Sequence, residues 1–277
     1  MRVQSLRTSG SWGAVLACVI GFGGLASADT ISFADFSDVS SLTLNGAAAQ
    51  AGAVLRLTPD AGSLAGSAFV TAGVPVGATS SIHSSFVYRI HGIRGGGPLG
   101  SDGMAFVIQA DPRGATALGT AGGALGYGGP TLITPSVIVE FDTHINFGVD
   151  PGDNHVALHK DGDWTVDLTH GFPGFTLNDG TSQYVWVDYN GLTDLFEVFV
   201  SKTATKPGAA LFSHTIDLSA VLGSDTAYFG FTAGTGGGFN AHDIESWSVK
   251  VIPEPATLLL VTAGVACVAV RRRRRRA

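Results

Sequence analysis

The sequence predicts an all-β fold, an antiparallel β-sandwich or jelly roll, and three observations carry that reading. Short apolar runs rich in Val, Ile, Phe and Tyr recur along the chain, spaced by roughly 10–25 residues. Glycine supplies 39 of 277 residues, about twice ordinary usage, and it punctuates those runs. Only one window, residues 218–222, has helical character, and it is about one turn long. Hydrophobic residues at 45% and aromatics at 9% are enough for a packed core. Gly and Pro together stay below the level of a low-complexity chain, so disorder and collagen are excluded.

From the N-terminus, Arg2 and Arg7 precede an apolar run over residues 14–22 and then Ala26-Ser27-Ala28. A basic start, a short hydrophobic stretch and small residues at the cleavage position predict a secretory signal over residues 1–28. Strands are then expected at residues 53–57, 81–90, 104–109 and 136–141. Another begins at His155, and others cover residues 184–189, 195–200, 227–231 and 244–251. Gly, Asn, Asp or Pro bounds each one. Many strands and almost no helix imply two packed antiparallel sheets in one domain, residues 29–251.

The chain ends in Pro253-Glu254-Pro255, an uncharged apolar stretch over 256–270, and six arginines at 271–276. Fifteen apolar residues make a helix of about 22 Å, short of a hydrocarbon core of about 30 Å. The terminal Arg block stays on the cytoplasmic side of a membrane. Residues 252–277 therefore form a separate tail with a short transmembrane stretch. Without the two ends, eight basic residues face 21 acidic ones, for a net charge of −13. Such a domain excludes nucleic acid as a partner and favours divalent cations. Both cysteines, Cys18 and Cys267, lie in the ends, so the domain has no disulfide.

The most informative segment runs from Val137 to His155. Glu140 and Asp142 end a hydrophobic strand and point to the same side because strand side chains alternate. The loop beyond offers Asn146 and Asp150, and His155 opens the next strand. Two carboxylates on a buried side repel one another and lose hydration unless a cation joins them. Carboxylates, a side-chain amide and a backbone carbonyl suit calcium. Adding one imidazole suits a first-row transition ion. An ordinary acidic turn is the alternative reading.

Glu140-Phe-Asp142-Thr, Asn146, Asp150-Pro and His155 together resemble the metal-binding stretch of legume-type (L-type) lectins. The resemblance implies that Glu140, Asp142, Asp150 and His155 ligate manganese or another transition metal. It implies calcium on Asp142, Asn146, Asp150 and the carbonyl of His144. The segment from Ser101 to Ile108 resembles the family's Ala-Asp-Gly-x-x-Phe stretch, which places a sugar-binding aspartate at Asp102 after a cis peptide. Gly122-Gly123 resembles the second sugar loop, with Gly123 giving its backbone N–H. Phe229 to Gly236, followed by His242 to Ser248, resembles the last loop and strand, with sugar contacts at Gly237 and Gly238. His144 stands where family members usually carry an aromatic that stacks on the sugar ring. The tail likewise resembles the bacterial PEP-CTERM sorting signal, which implies a Gram-negative host, an exosortase and delivery to the outer surface or extracellular polymer.

The expected function is thus non-catalytic, metal-dependent binding of glycans or exopolysaccharide, with the membrane met only through the tail and homo-oligomerisation open. A structural matrix domain with purely stabilising metals is one rival. A glycoside hydrolase is another, but the Glu-x-Asp-x-x-Glu pattern it would use has Ile145 at its third carboxylate. No Gly-x-Ser-x-Gly elbow is present. The glycine clusters at 95–97 and 236–238 open no helix and read as turns. His159, His170 and His214 read as surface residues, and Trp164 and Trp186 as core or loop aromatics.

Overall fold

The computed structural model describes residues 28–94 and 100–253. Residues 1–27 of the expected signal, residues 254–277 of the expected tail and the glycine cluster at 95–97 fall outside those residues. β1 (Asp29–Phe33), β2 (Leu42–Gly46), β3 (Ala49–Ala51) and β4 (Val54–Thr58) open the domain. β5 (Ala65–Val70) and the two-residue β6 (Val74–Pro75) precede the long β7 (Ser81–Arg94). β8 (Gly103–Gln109), β9 (Ser136–Asp142), β10 (His155–Lys160) and β11 (Thr169–Gly171) follow. β12 (Gln183–Asn190), β13 (Leu195–Ser201) and β14 (Phe212–Thr215) lead to the helix α1 (Leu218–Leu222). β15 (Thr226–Gly234) and β16 (Phe239–Ile252) complete the domain.

The strands form two antiparallel sheets. One has the order β14-β13-β12-β7-β16-β4-β3, with β1 also paired to β16; the other is β11-β10-β9-β8-β15-β5-β2, with β6 on β15. The helical turn forms where the composition predicts it, and Asp217 caps it by accepting the Ala220 N–H at 2.9 Å.

Between the sheets lies a core of Leu, Ile, Val and aromatic side chains drawn from alternate positions. The Phe231 ring sits 5.0 Å from Phe86 and 4.9 Å from Trp247, both edge-on. Burying each such side chain contributes about 1.5–3 kcal/mol.

The second sheet is covered on its other face as well. Ala105, Val107 and Ile138 turn away from the main core and meet Ala115, Ala117, Leu125, Tyr127 and Ile133 from the segment between β8 and β9. That second apolar layer explains why every residue of β8 and of β9 is buried. It also means that polar side chains on this face of β9 lie beneath a covering loop, out of bulk water.

Candidate functional site

Strand register assembles the polar face. Asp142 lies opposite Gly103 of β8 and His155 of β10, and Glu140 lies opposite Ala105 and Ala157. Two residues on, His159 lies opposite Ile138. Glu140, Asp142, His155 and His159 therefore share one face, with only small neighbours across from Glu140. Gly103 has φ +147°, and a Cβ there would sit 2.3 Å from the Phe141 carbonyl, so no larger residue fits.

All four of those polar side chains are buried. Nε2 of His155 and Nε2 of His159 each stand 3.5 Å from Oε1 of Glu140. The Tyr127 hydroxyl donates to Oε2 of the same carboxylate. Burial pushes Glu140 up, but the charge of His159 and hydrogen bonds from His155, His159 and Tyr127 outweigh it and bring the carboxyl to about 2. Asp142 goes the other way. Burial and the negative charge of Glu140, Asp150 and Asp102 push it well above the ordinary range, although the His144 N–H donates to Oδ1 at 2.6 Å. Asp150 is raised as well, chiefly by burial, against the Asn146 N–H that donates to it.

Distant loops meet at the end of this strip. The Ser101–Asp102 peptide is cis. The Asp102 N–H donates to the Gly234 carbonyl at 3.2 Å, and the Asp102 carbonyl accepts from Thr143 N–H at 2.9 Å. The Gly122 N–H donates to the Thr235 carbonyl at 3.0 Å. A Cβ on Gly123 would lie 2.6 Å from both amide atoms of Asn146, so that glycine admits the amide against the backbone. The Gly236 N–H closes the last loop onto the Gly238 carbonyl at 3.1 Å, and nothing stands within 4 Å of a Cβ on Gly237. Burial and the Asp150 charge raise Asp102 to about 6, opposed by the charge of His144 and the Gly236 N–H. Two buried atoms at this rim have no hydrogen-bond partner: Oδ2 of Asp102 and Oδ1 of Asn146.

The residues expected from sequence thus fall into two adjoining groups, Glu140, Asp142, Asp150 and His155 in the strip and Asp102, Gly123, Asn146, Gly237 and Gly238 in the loops. His144 is exposed between them. Among the described residues, no group of three or more His, Cys, Asp or Glu forms an assembled metal cage. The expectation for His159 is corrected: it is not a surface residue but 3% exposed and turned onto Glu140. Its spacing of four from His155 on a strand puts both on one face, although that spacing does not disclose burial. Tyr127 left no such signal, because its contact depends on how the covering segment folds. Phe147, next to Asn146, is 88% exposed and belongs to none of the sequence motifs.

The Legume lectin domain family matches residues 28–259, and the PEP-CTERM protein-sorting motif matches residues 251–275. The L-type lectin-domain containing receptor kinase SIT1 of Oryza sativa subsp. japonica is 31% identical over 248 residues, covering 80% of this chain and 36% of that protein. Receptor kinase VIII.1 of Arabidopsis thaliana, of the same description, is 36% identical over 151 residues, or 53% of this chain and 20% of that one. The chain spans well under half the length of these relatives. Among solved structures, basic winged bean lectin with Tn-antigen superposes with a TM-score of 0.69 at 26% identity, covering 81% of this chain and 98% of that one. Winged bean acidic lectin with methyl-α-D-galactose gives 0.71 at 23% identity, covering 82% and 99%, a likeness of fold.

Proposed function

The chain belongs to the legume lectin domain family, which binds carbohydrate without catalysing a reaction on it, and from that premise we propose that it is an exported lectin whose sugar site depends on bound cations. Its sorting motif implies export and exosortase processing. Among the described residues no helix is long and apolar enough to cross a membrane, and the tail lies outside them. Removal of a signal over residues 1–28 and release to the outer surface or extracellular polymer belong to the same proposal.

The observation that carries the reading is the pair of buried, unpartnered oxygens, one on Asp102 against Gly236 and one on Asn146 against Gly123. A carboxylate oxygen accepts hydrogen bonds from sugar hydroxyls, and an amide both accepts and donates. Gly123 presents its backbone N–H without a side chain in the way, and the loop at Gly237 and Gly238 offers backbone groups alone. Phe147 supplies exposed aromatic surface beside Asn146, which imidazole at His144 provides less well.

Members of this family bind calcium and manganese, and the donor set fits both. Asp142 and Asp150 are raised by burial and by neighbouring carboxylates, more than the charges of His155 and His159 offset at Asp150. Glu140, Asp142, Asp150 and His155 would hold manganese or another transition ion. Asp142, Asn146, Asp150 and the carbonyl of His144 would hold calcium. Bound cations fix the loops in advance and so lower the ordering cost of binding a glycan. Asp102 and Asn146 then orient vicinal hydroxyls, and Gly123 lets the ring come close.

A broad glycan array probed with the purified protein in calcium and manganese tests this, with Asp102→Ala in parallel. Binding to a defined sugar that the variant loses is expected. Folded, metal-loaded protein that binds no glycan would leave a structural matrix domain in its place.

A further inference from the structure

The resemblance supplies one histidine to the transition-ion position, and the structure brings two imidazoles to Glu140. β10 alternates His155, Ala157 and His159 on the face that holds Glu140. Ala157, directly opposite Glu140, leaves room for both imidazoles to reach the same carboxylate oxygen. Each ring is oriented by the protein backbone. Nδ1 of His155 lies 3.0 Å from the Gly152 carbonyl, and Nδ1 of His159 lies 3.0 Å from the Asp163 carbonyl and 3.1 Å from that of Val166. A carbonyl only accepts, so each Nδ1 carries the proton. In the neutral ring that leaves the lone pair on Nε2. A backbone carbonyl on the far nitrogen is the usual way a ligating imidazole is held.

Both lone pairs then face Oε1 of Glu140, itself an acceptor, at 3.5 Å. Nε2 of His159 is buried and has no hydrogen-bond partner. With neither Nε2 protonated, three acceptors are directed at one another. Without metal, burial opposes a proton on His159 but the charge of Glu140 favours it, and that is the place a cation would take. A proton on one ring would satisfy one of the two contacts, and 3.5 Å is longer than the roughly 2.7–3.2 Å of an N–H···O bond. Two ligands of one tetrahedral ion with bonds of about 2.0–2.1 Å stand about 3.4 Å apart. Both contacts are close to that spacing.

We propose that His159 is a further protein donor, beside Glu140, Asp142, Asp150 and His155, to the transition ion of this site, and that the ion preferred is a borderline-soft one such as zinc. The proposal rests on the metal-dependent reading above. Adding an imidazole nitrogen to a carboxylate-rich donor set moves a site away from manganese and toward zinc and copper. Among the described residues these donors form no closed cage, so the coordination shell is completed as the ion enters.

The test uses the whole protein, stripped with chelator and reloaded. With one equivalent of Cu2+, pulsed electron paramagnetic resonance counts coordinated imidazoles; two are expected in the wild-type protein and one in His159→Gln. Competition titration with Zn2+ should show at least a ~10-fold loss of affinity in that variant, the scale on which even supporting residues of a metal site act. A wild-type spectrum with a single imidazole, or unchanged zinc affinity in a folded variant, overturns the proposal and leaves the metal-dependent lectin standing. Wild-type protein that binds glycan and takes up no transition ion overturns both.

Discussion

Replacing the Asp102 carboxylate with an amide, Asp102→Asn, should strengthen the metal-free fold while disabling the sugar site. The carboxyl is buried, Oδ2 has no partner, and burial together with Asp150 raises it from 3.8 to about 6. A raised carboxylate pKa means that the fold disfavours the charge. Below pH 3.8 both folded and unfolded states are neutral at this group and no penalty exists; it grows as pH rises and is complete above 6. At about 1.4 kcal/mol per unit, the penalty approaches ~3 kcal/mol at neutral pH. An amide keeps the shape and carries no charge. Urea unfolding in chelator should therefore show the variant more stable than wild type by up to ~3 kcal/mol at about pH 7, with the difference vanishing near pH 4. In the metal-loaded protein the same change removes charge-assisted hydrogen bonds to hydroxyls, worth ~1.5–3 kcal/mol, so glycan affinity should fall about 10- to 150-fold. A variant that is less stable at pH 7, or that binds glycan as tightly as wild type, would refute the reasoning.

Other positions separate the site from the scaffold. Gly123→Ala places a methyl 2.6 Å from the Asn146 amide; the flexible amide yields, so stability should change by under ~1 kcal/mol while glycan affinity drops at least ~10-fold by titration calorimetry. Phe147→Ala, at a side chain 88% exposed, should leave the melting temperature within about 1–2 °C and weaken glycan binding roughly 2- to 10-fold. Phe231→Ala opens a cavity among Phe86, Phe106 and Trp247. It should cost about 3–5 kcal/mol, read by calorimetry as a melting point roughly 6–20 °C lower.

What the sequence disclosed followed the strength of local signals. Strands β7, β8, β9, β12, β13, β15 and β16 are marked by Val, Ile, Phe and Tyr between turn residues. β5 is not, because four of its six residues, Ala65-Gly-Ser-Ala68, have small or no side chains, and the strand lies between covering layers on both faces. β11 and β14, at three and four residues, are too short to display a period. β16 also begins before the apolar run at 244, because residues 239–243 are largely polar and find partners across β4 and β7. The metal strip was legible because Glu140, Asp142, Asn146, Asp150 and His155 occupy one continuous stretch. Asp102, Gly123 and Gly237 come from three distant segments, and only resemblance grouped them. His159 reads as solvated beside Lys160 until the covering segment with Tyr127 is in place, which is why its burial was not legible.

The central claim is that cations organise a sugar site without touching the sugar. The direct measurement is calorimetric titration of the best array glycan into protein loaded with calcium and a transition ion, then into the same protein stripped with EDTA and shown to remain folded. Binding in the first and none in the second, restored by returning the ions, is the predicted result. Equal affinity in both would contradict it.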